Sequence, residues 1–219
     1  MNQSYIWTLP TRIFHWSFAL LITICLLTDD DLMAVHAISG YLILVPLTFR
    51  FFWGFWGPKY SKFKDFPLGI QRAKNFAKNV LTGDEIYVGH NPLASYVMLS
   101  ILIIAPIIIF TGTLALGSEE AQGIFASLEK DKIFKKVHEF FANFLYLLLF
   151  LHLGGIFVDR LIHKKHKTLN SIFNGYKNTK KDESIKLNLF QKSFSLFFMF
   201  LFLIFASYLI FNTTNQFIY

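Results

Sequence analysis

Val137-His138-Glu139-Phe140-Phe141-Ala142-Asn143-Phe144-Leu145-Tyr146-Leu147-Leu148-Leu149-Phe150-Leu151-His152 is the stretch whose reading decides the fold. Thirteen residues separate its two histidines, and all but Glu139 and Asn143 are apolar, alanine or aromatic. Too apolar for a surface helix, the run reads as part of a bilayer span, which needs roughly 20 such residues. At about 1.5 Å per residue the histidines stand about 21 Å apart, most of the way across a hydrocarbon core. At about 100° per residue they come within about 40° of a whole number of turns. His138 and His152 therefore share one helix face at opposite depths.

The same composition extends outward. Of 219 residues, 54% are hydrophobic and 27 are Phe, while only 16% are charged. A soluble domain of this length could not bury that many Phe, so an integral membrane protein is expected. Collagen, a disordered chain and a disulfide scaffold are excluded; Cys25 is the one cysteine, and no Cys-x-x-Cys-His run marks covalent haem attachment. Uncharged runs at Ile13–Thr28, Leu32–Phe49, Ile86–Gly117, Phe140–Val158 and Ser193–Tyr219 give five transmembrane helices, near 9–28, 33–54, 92–115, 135–160 and 190–211. The first run is not preceded by early basic residues or followed by a small-residue cleavage site, so it reads as a span rather than a signal peptide. Residues 61–81 are too polar to cross. From Pro67 they read as an interfacial helix, with Ile70, Ala73, Phe76, Ala77 and Val80 on one face and Arg72, Lys74 and Lys78 on the other. Residues 163–188 read as a polar basic linker.

Loop charge predicts the orientation. Arg12, the loop from Arg50 to Lys78, and the loop from Arg160 to Lys192 hold seventeen Lys/Arg; the opposite side holds four, Lys130, Lys132, Lys135 and Lys136. The basic side is cytoplasmic, so the N-terminus lies inside and, after five spans, the C-terminus is periplasmic.

Ionisable side chains at membrane depth are costly and mark function. His15 starts span one on the cytoplasmic side, and His36 starts span two on the outer side. Each of the two histidines of span four thus has a counterpart at its own depth, His15 with His152 and His36 with His138. Two layers of paired imidazoles inside a helix bundle suit two haems with axial histidines. Ala19, Gly40, Ala142, Gly154 and Gly155 lie near the ligands, where a flat macrocycle needs room. Arg12 inside, and Lys135 or Lys136 outside, are candidate partners for propionates. A zinc or copper site is disfavoured, since each layer offers two histidines and no cysteine, although Asp29–Asp31 and Glu139 lie near the outer layer. His90 has two readings. Asn91 and Pro92 can cap and start span three, which is structural; His90 itself could bond a propionate or exchange protons with a quinone.

At these residues the chain resembles the prokaryotic diheme cytochrome b family, which includes bacterial cytochrome b-five-sixty-one and the b-type cytochrome subunits of nickel–iron hydrogenases. The matching pieces are Trp7 to Trp16 with Pro10, Arg12 and His15; His36 to Tyr41 with Gly40; Phe49-Arg50 to Phe55 with Trp53-Gly54; Gly89-His90-Asn91-Pro92; Val137-His138-Glu139 through Leu151-His152; and Asn174-Gly175-Tyr176. The resemblance implies an all-α integral membrane fold with a four-helix haem-binding bundle, here residues 1–176; residues 177–219, read as a basic linker and a fifth transmembrane helix, depart from that minimal pattern. It implies two non-covalent haems b, paired as His15–His152 and His36–His138.

The expected function is electron transport in a respiratory chain of the bacterial inner membrane. Electrons would pass between a quinone pool and a periplasmic redox protein, either a hydrogenase-type catalytic subunit or a cytochrome c. The chain carries no nucleophile triad, P-loop or dinucleotide fingerprint, so catalysis beyond electron transfer belongs to a partner. The alternatives are a transporter using intramembrane histidines as a relay, and a metal-binding membrane anchor subunit. Against the first, no repeated pair of broken helices is visible.

Overall fold

A computed structural model describes residues 2–28, 32–80, 87–162 and 167–216, with side chains to 212. Asp29–Asp31, His163, His166 and the terminal Phe217-Ile218-Tyr219 lie outside the described residues. The elements in chain order are β1 (Asn2–Tyr5), α1 (Leu9–Leu27), α2 (Met33–Trp56), α3 (Ile70–Asn79), α4 (Pro92–Glu120), α5 (Ile133–Ile162), α6 (Thr168–Asn174), β2 (Tyr176–Thr179) and α7 (Leu189–Gln216). Among the described residues five helices are long and apolar enough to cross a membrane: α1, α2, α4, α5 and α7 over Leu189–Asn212. Leu20, Ile103, Phe150, Leu153 and Phe200 all stay exposed on them, the outward apolar surface that lipid, rather than water, solvates.

The five expected spans are found; four of them run past the expected ends, while α1 stops at Leu27. α4 runs to Glu120 and α5 begins at Ile133 because charged residues continue a helix into the headgroup layer, where apolar content no longer marks its end. Pro46 and Pro106 lie inside α2 and α4, as transmembrane helices tolerate. The interfacial helix starts at Ile70, not at Pro67. The chain at Gly69 has φ 137°, open to glycine, and its N–H donates to the Tyr96 hydroxyl at 3.0 Å. Phe76 is the buried anchor of α3, edge-on to Tyr87, while Arg72, Lys74 and Lys78 are exposed.

The chain forms two compact units. One comprises Met1–Phe14, Arg50–Ile101 and Leu147–Ser193. Here the stretch expected as a linker carries α6 and β2, and β2 pairs antiparallel with β1, Ser4 opposite Lys177. Gly175, at φ 90°, ends α6, and its carbonyl accepts the N–H groups of Ile6 and Trp7 at 2.8 and 3.1 Å. A Cβ there would lie 2.4 Å from the Tyr5 ring and 2.7 Å from the Trp7 carbonyl oxygen, which explains glycine in the Asn174-Gly175-Tyr176 motif. Ser4 Oγ bonds Thr179 Oγ1 at 2.5 Å and accepts from Glu183 N–H at 2.9 Å. Lys177 is buried, its ammonium donating to the Tyr87 and Val88 carbonyls at 2.7 and 3.2 Å.

Trp53, fully buried, donates from Nε1 to Thr11 Oγ1 at 3.0 Å. Arg50, counted with the cytoplasmic loop after span two, is instead buried inside α2. It donates to the Ser61 carbonyl at 3.0 Å and lies over the Phe63 and Phe66 rings. A guanidinium so placed keeps a hydrogen bond and two aromatic faces in exchange for water. Gly54 lets the Phe63 ring close on α2, since a Cβ would fall 2.1 Å from it. The motif Phe49 to Phe55 is thus the packing seam that folds the chain back after span two.

The second unit comprises His15–Phe49, Leu102–Tyr146 and Phe194–Tyr219. Its core includes Phe18, Leu21, Ile22, Leu42, Ile43, Ile104, Leu145 and Phe198. α7 is held to α2 by aromatic contacts, Phe194 and Phe198 lying 5.9 and 5.7 Å from Phe49 between ring centres.

Candidate functional site

The second unit brings two of the expected ligands together. His36 and His138 have ring centres 6.1 Å apart and planes at 83°. His36 sits one turn into α2 and reaches the last turn of α1. Helix ends leave their final carbonyls without intrahelical donors. His36 Nδ1 lies 2.7 Å from the Thr28 carbonyl oxygen and 3.0 Å from that of Cys25, so this ring caps α1. His138 Nδ1 lies 3.0 Å from the Ile108 carbonyl oxygen of α4. A carbonyl only accepts, so each Nδ1 carries a proton. Each neutral ring then keeps its lone pair on Nε2, the tautomer a metal requires.

The fit to haem follows from the same numbers. A metal–imidazole bond is about 2 Å long and the ring centre lies about 1 Å behind the nitrogen, so two rings on one iron have centres about 6 Å apart. A Cβ built on Gly40, one turn beyond His36, would meet nothing within 4 Å. Among the described residues no group of three or more His, Cys, Asp or Glu side chains comes together. A pair of imidazoles suits an iron whose other four donors come from a macrocycle.

His15 and His152 belong to different units, and each is described alone. His15 is half-buried on α1, edge-on to Trp16 at 5.1 Å. His152 is half-buried on α5, and a Cβ on Gly154 or Gly155 would meet nothing within 4 Å. Arg12 lies in the first turns of α1, where its guanidinium donates to the Phe173 carbonyl of α6. Lys135 and Lys136 stand in the first turn of α5, Lys136 exposed. His90 is flanked by two aromatics, Trp7 at 4.8 Å and Phe66 at 5.1 Å. Its neighbours act as expected: Asn91 Oδ1 accepts from Ala94 N–H at 2.8 Å, and Pro92 opens α4.

Sequence reasoning missed what surrounds the two rings. The acceptors are backbone carbonyls of Cys25, Thr28 and Ile108, which carry no side-chain signal. Thr111 and Gly112 also meet His138. A small, polar Thr-Gly-Thr step at 111–113 inside an apolar span was the available hint.

The model of the family described as prokaryotic cytochrome b561 matches residues 6–175. No curated protein and no solved structure matches the chain. The matched region contains four of the five candidate spans and every candidate ligand. The chain belongs to the prokaryotic cytochrome b561 family: it is a multi-pass, all-α membrane cytochrome of the b type, a haem b protein of electron transfer.

Proposed function

We propose that this cytochrome carries electrons across the bilayer between a quinone pool and a periplasmic redox partner, through two haems b held by His36–His138 and His15–His152. The observation that carries the reading is the His36–His138 pair, at a spacing and in a tautomer that suit one iron. For the second pair the support is the sequence: His152 follows His138 by fourteen residues, close to four helical turns, and His15 is its counterpart at cytoplasmic depth. When bound, haem b supplies a one-electron iron couple at each depth. The protein's part is to hold His36 and His138 by their Nδ1 protons, exclude water and tune potential through burial and hydrogen bonds.

Arg12, and Lys135 or Lys136, are the cations proposed for propionates. His90, held between Trp7 and Phe66, is proposed to exchange protons with a quinone at the cytoplasmic face. The Lys/Arg asymmetry supports an N-terminus inside and a C-terminus in the periplasm. The periplasmic partner is proposed to be a hydrogenase-type subunit or a cytochrome c. Residues 1–176 are proposed as the diheme unit, and 177–219 as the segment that adds the fifth helix.

The test is stoichiometry. A pyridine haemochrome assay on the purified chain should give two haems per polypeptide, extractable by acid acetone. One or none overturns the two-haem reading. Reduction of the haem band by a quinol in proteoliposomes checks the quinone end; a band reduced only by dithionite overturns it.

A further inference from the structure

α4 contributes no histidine, yet three of its residues meet the His138 ring. The Ile108 carbonyl accepts Nδ1–H at 3.0 Å. Thr111 Oγ1 lies 3.4 Å from the same Nδ1, and bonds the Ile107 and Ile108 carbonyls at 2.8 and 3.1 Å. Gly112 lies directly against the ring: a Cβ there would stand 2.9 Å from Cε1 and 3.1 Å from Nδ1. Real Cβ atoms do not approach that closely, so any larger residue would displace the imidazole.

From this geometry we propose that Thr111 and Gly112 are positioning residues for a haem ligand, His138, and that the third span sets the potential of the haem it helps hold. The inference rests on the reading of His138 as a ligand. Gly112 fixes where the ring stands by giving it room against the α4 backbone. Thr111 sets how strongly the ring's proton is held. The Ile108 oxygen already takes the helical N–H of residue 112 and shares the single proton of the Thr111 hydroxyl with the Ile107 oxygen. A carbonyl has two lone pairs, so the hydroxyl competes with His138 Nδ1–H for them. The weaker that competition, the more the imidazole leans toward its anion, and the more it favours ferric over ferrous iron.

The experiment uses the full chain, purified with haem, and reads optical redox titration and ferric electron paramagnetic resonance. The relevant haem is the spectral component that His138→Ala removes. Thr111→Val keeps the shape and deletes the hydroxyl. At a fixed ambient potential the reduced-to-oxidised ratio of that component should fall about fivefold, the worth of about one net hydrogen bond. That is a downward shift of about 40 mV for a one-electron couple. Thr111→Ser should restore the parent value. Gly112→Ala, a change that favours helix, should shift or abolish the resonance of that component and leave the other haem signal in place. Thr113→Val is the control, since its hydroxyl bonds the Phe110 carbonyl at 2.7 Å.

An unmoved potential in Thr111→Val overturns the proposal. So does an equal shift in Thr113→Val, or an unchanged resonance in Gly112→Ala. A His138→Ala chain that keeps every haem component overturns the ligand reading itself, which is a different failure.

Discussion

Lys177 should make the protein more stable as pH rises from 7.5 to 9.5. Its side chain is 4% exposed, and burial pulls the ammonium down to about 8 from the ordinary 10.5. The neutral amine still has two N–H groups, enough for the Tyr87 and Val88 carbonyls, so deprotonation sacrifices no bond. The folded value lies below the unfolded one. Between them the unfolded chain binds the extra proton, so unfolding becomes harder as pH climbs. Integrated from pH 7.5 to 9.5 the gain is about 2 kcal/mol, out of about 3 kcal/mol over the whole window. For a chain of this length that is about 4–8 °C in Tm. The assay compares thermal unfolding in detergent for the parent and Lys177→Met at both values, so that all other titrations cancel. Lys59 does not confuse the result: its bond to Glu183 raises it, and that contribution is lost only as pH rises above the unfolded value of 10.5. If parent and Lys177→Met respond identically to pH, the buried-amine argument is wrong.

Haem loss should sort by depth. His36→Ala and His138→Ala should remove one spectral component, and His15→Ala and His152→Ala the other; loss of the same component in His15→Ala and His138→Ala would contradict the pairing. His90→Ala should keep both haems, which a haemochrome ratio checks. Gly175→Ala should cost about 2–4 kcal/mol, from a non-glycine residue at positive φ and from a Cβ driven into Tyr5 and Trp7; a melting temperature within a degree of the parent would sink that account. A C-terminal alkaline phosphatase fusion should be active and a green fluorescent fusion dark; the reverse would remove the odd number of spans.

What the sequence discloses and what it withholds divide along a physical line. Five spans were legible because lipid imposes a minimum apolar length, and the outward-facing side chains Leu20, Phe150 and Phe200 had to satisfy it residue by residue. The span-four histidines were legible because helical periodicity needs only one chain segment. The Asn91-Pro92 cap was legible for the same reason, since its bond to Ala94 N–H closes within four residues. The pairing of β1 with β2 was not, because Ser4 and Lys177 are partners across almost the whole chain and neither strand alternates strongly. Lys177 looked like one more solvated charge in a basic linker; the carbonyls of Tyr87 and Val88, with the charge of Asp159, make its burial tolerable. Arg50 misled in the same way, since its compensation comes from Ser61, Phe63 and Phe66, residues that no local pattern ties to it.

His36 shows why a ligand and a structural histidine are hard to separate. Its Nδ1 satisfies orphan carbonyls at the end of α1, which alone would justify an imidazole there. That bond is also what a ligand needs, because it fixes the tautomer and aims the lone pair through Nε2. The structural role consumes one nitrogen and leaves the chemical role the other, so the two do not compete. His138 breaks the tie. Ile108 lies in the middle of α4, where the N–H of Gly112 already serves its carbonyl in the helix, and no capping need explains a ring placed there. A histidine that bonds a carbonyl with no vacancy to fill, against a glycine that makes room for it, is positioned for its other nitrogen. His36, 6.1 Å away and held in the same tautomer, supports the proposal that the two rings serve one iron. Apolar helices bury such a pair at the cost of desolvation, which coordination to the proposed haem iron would offset.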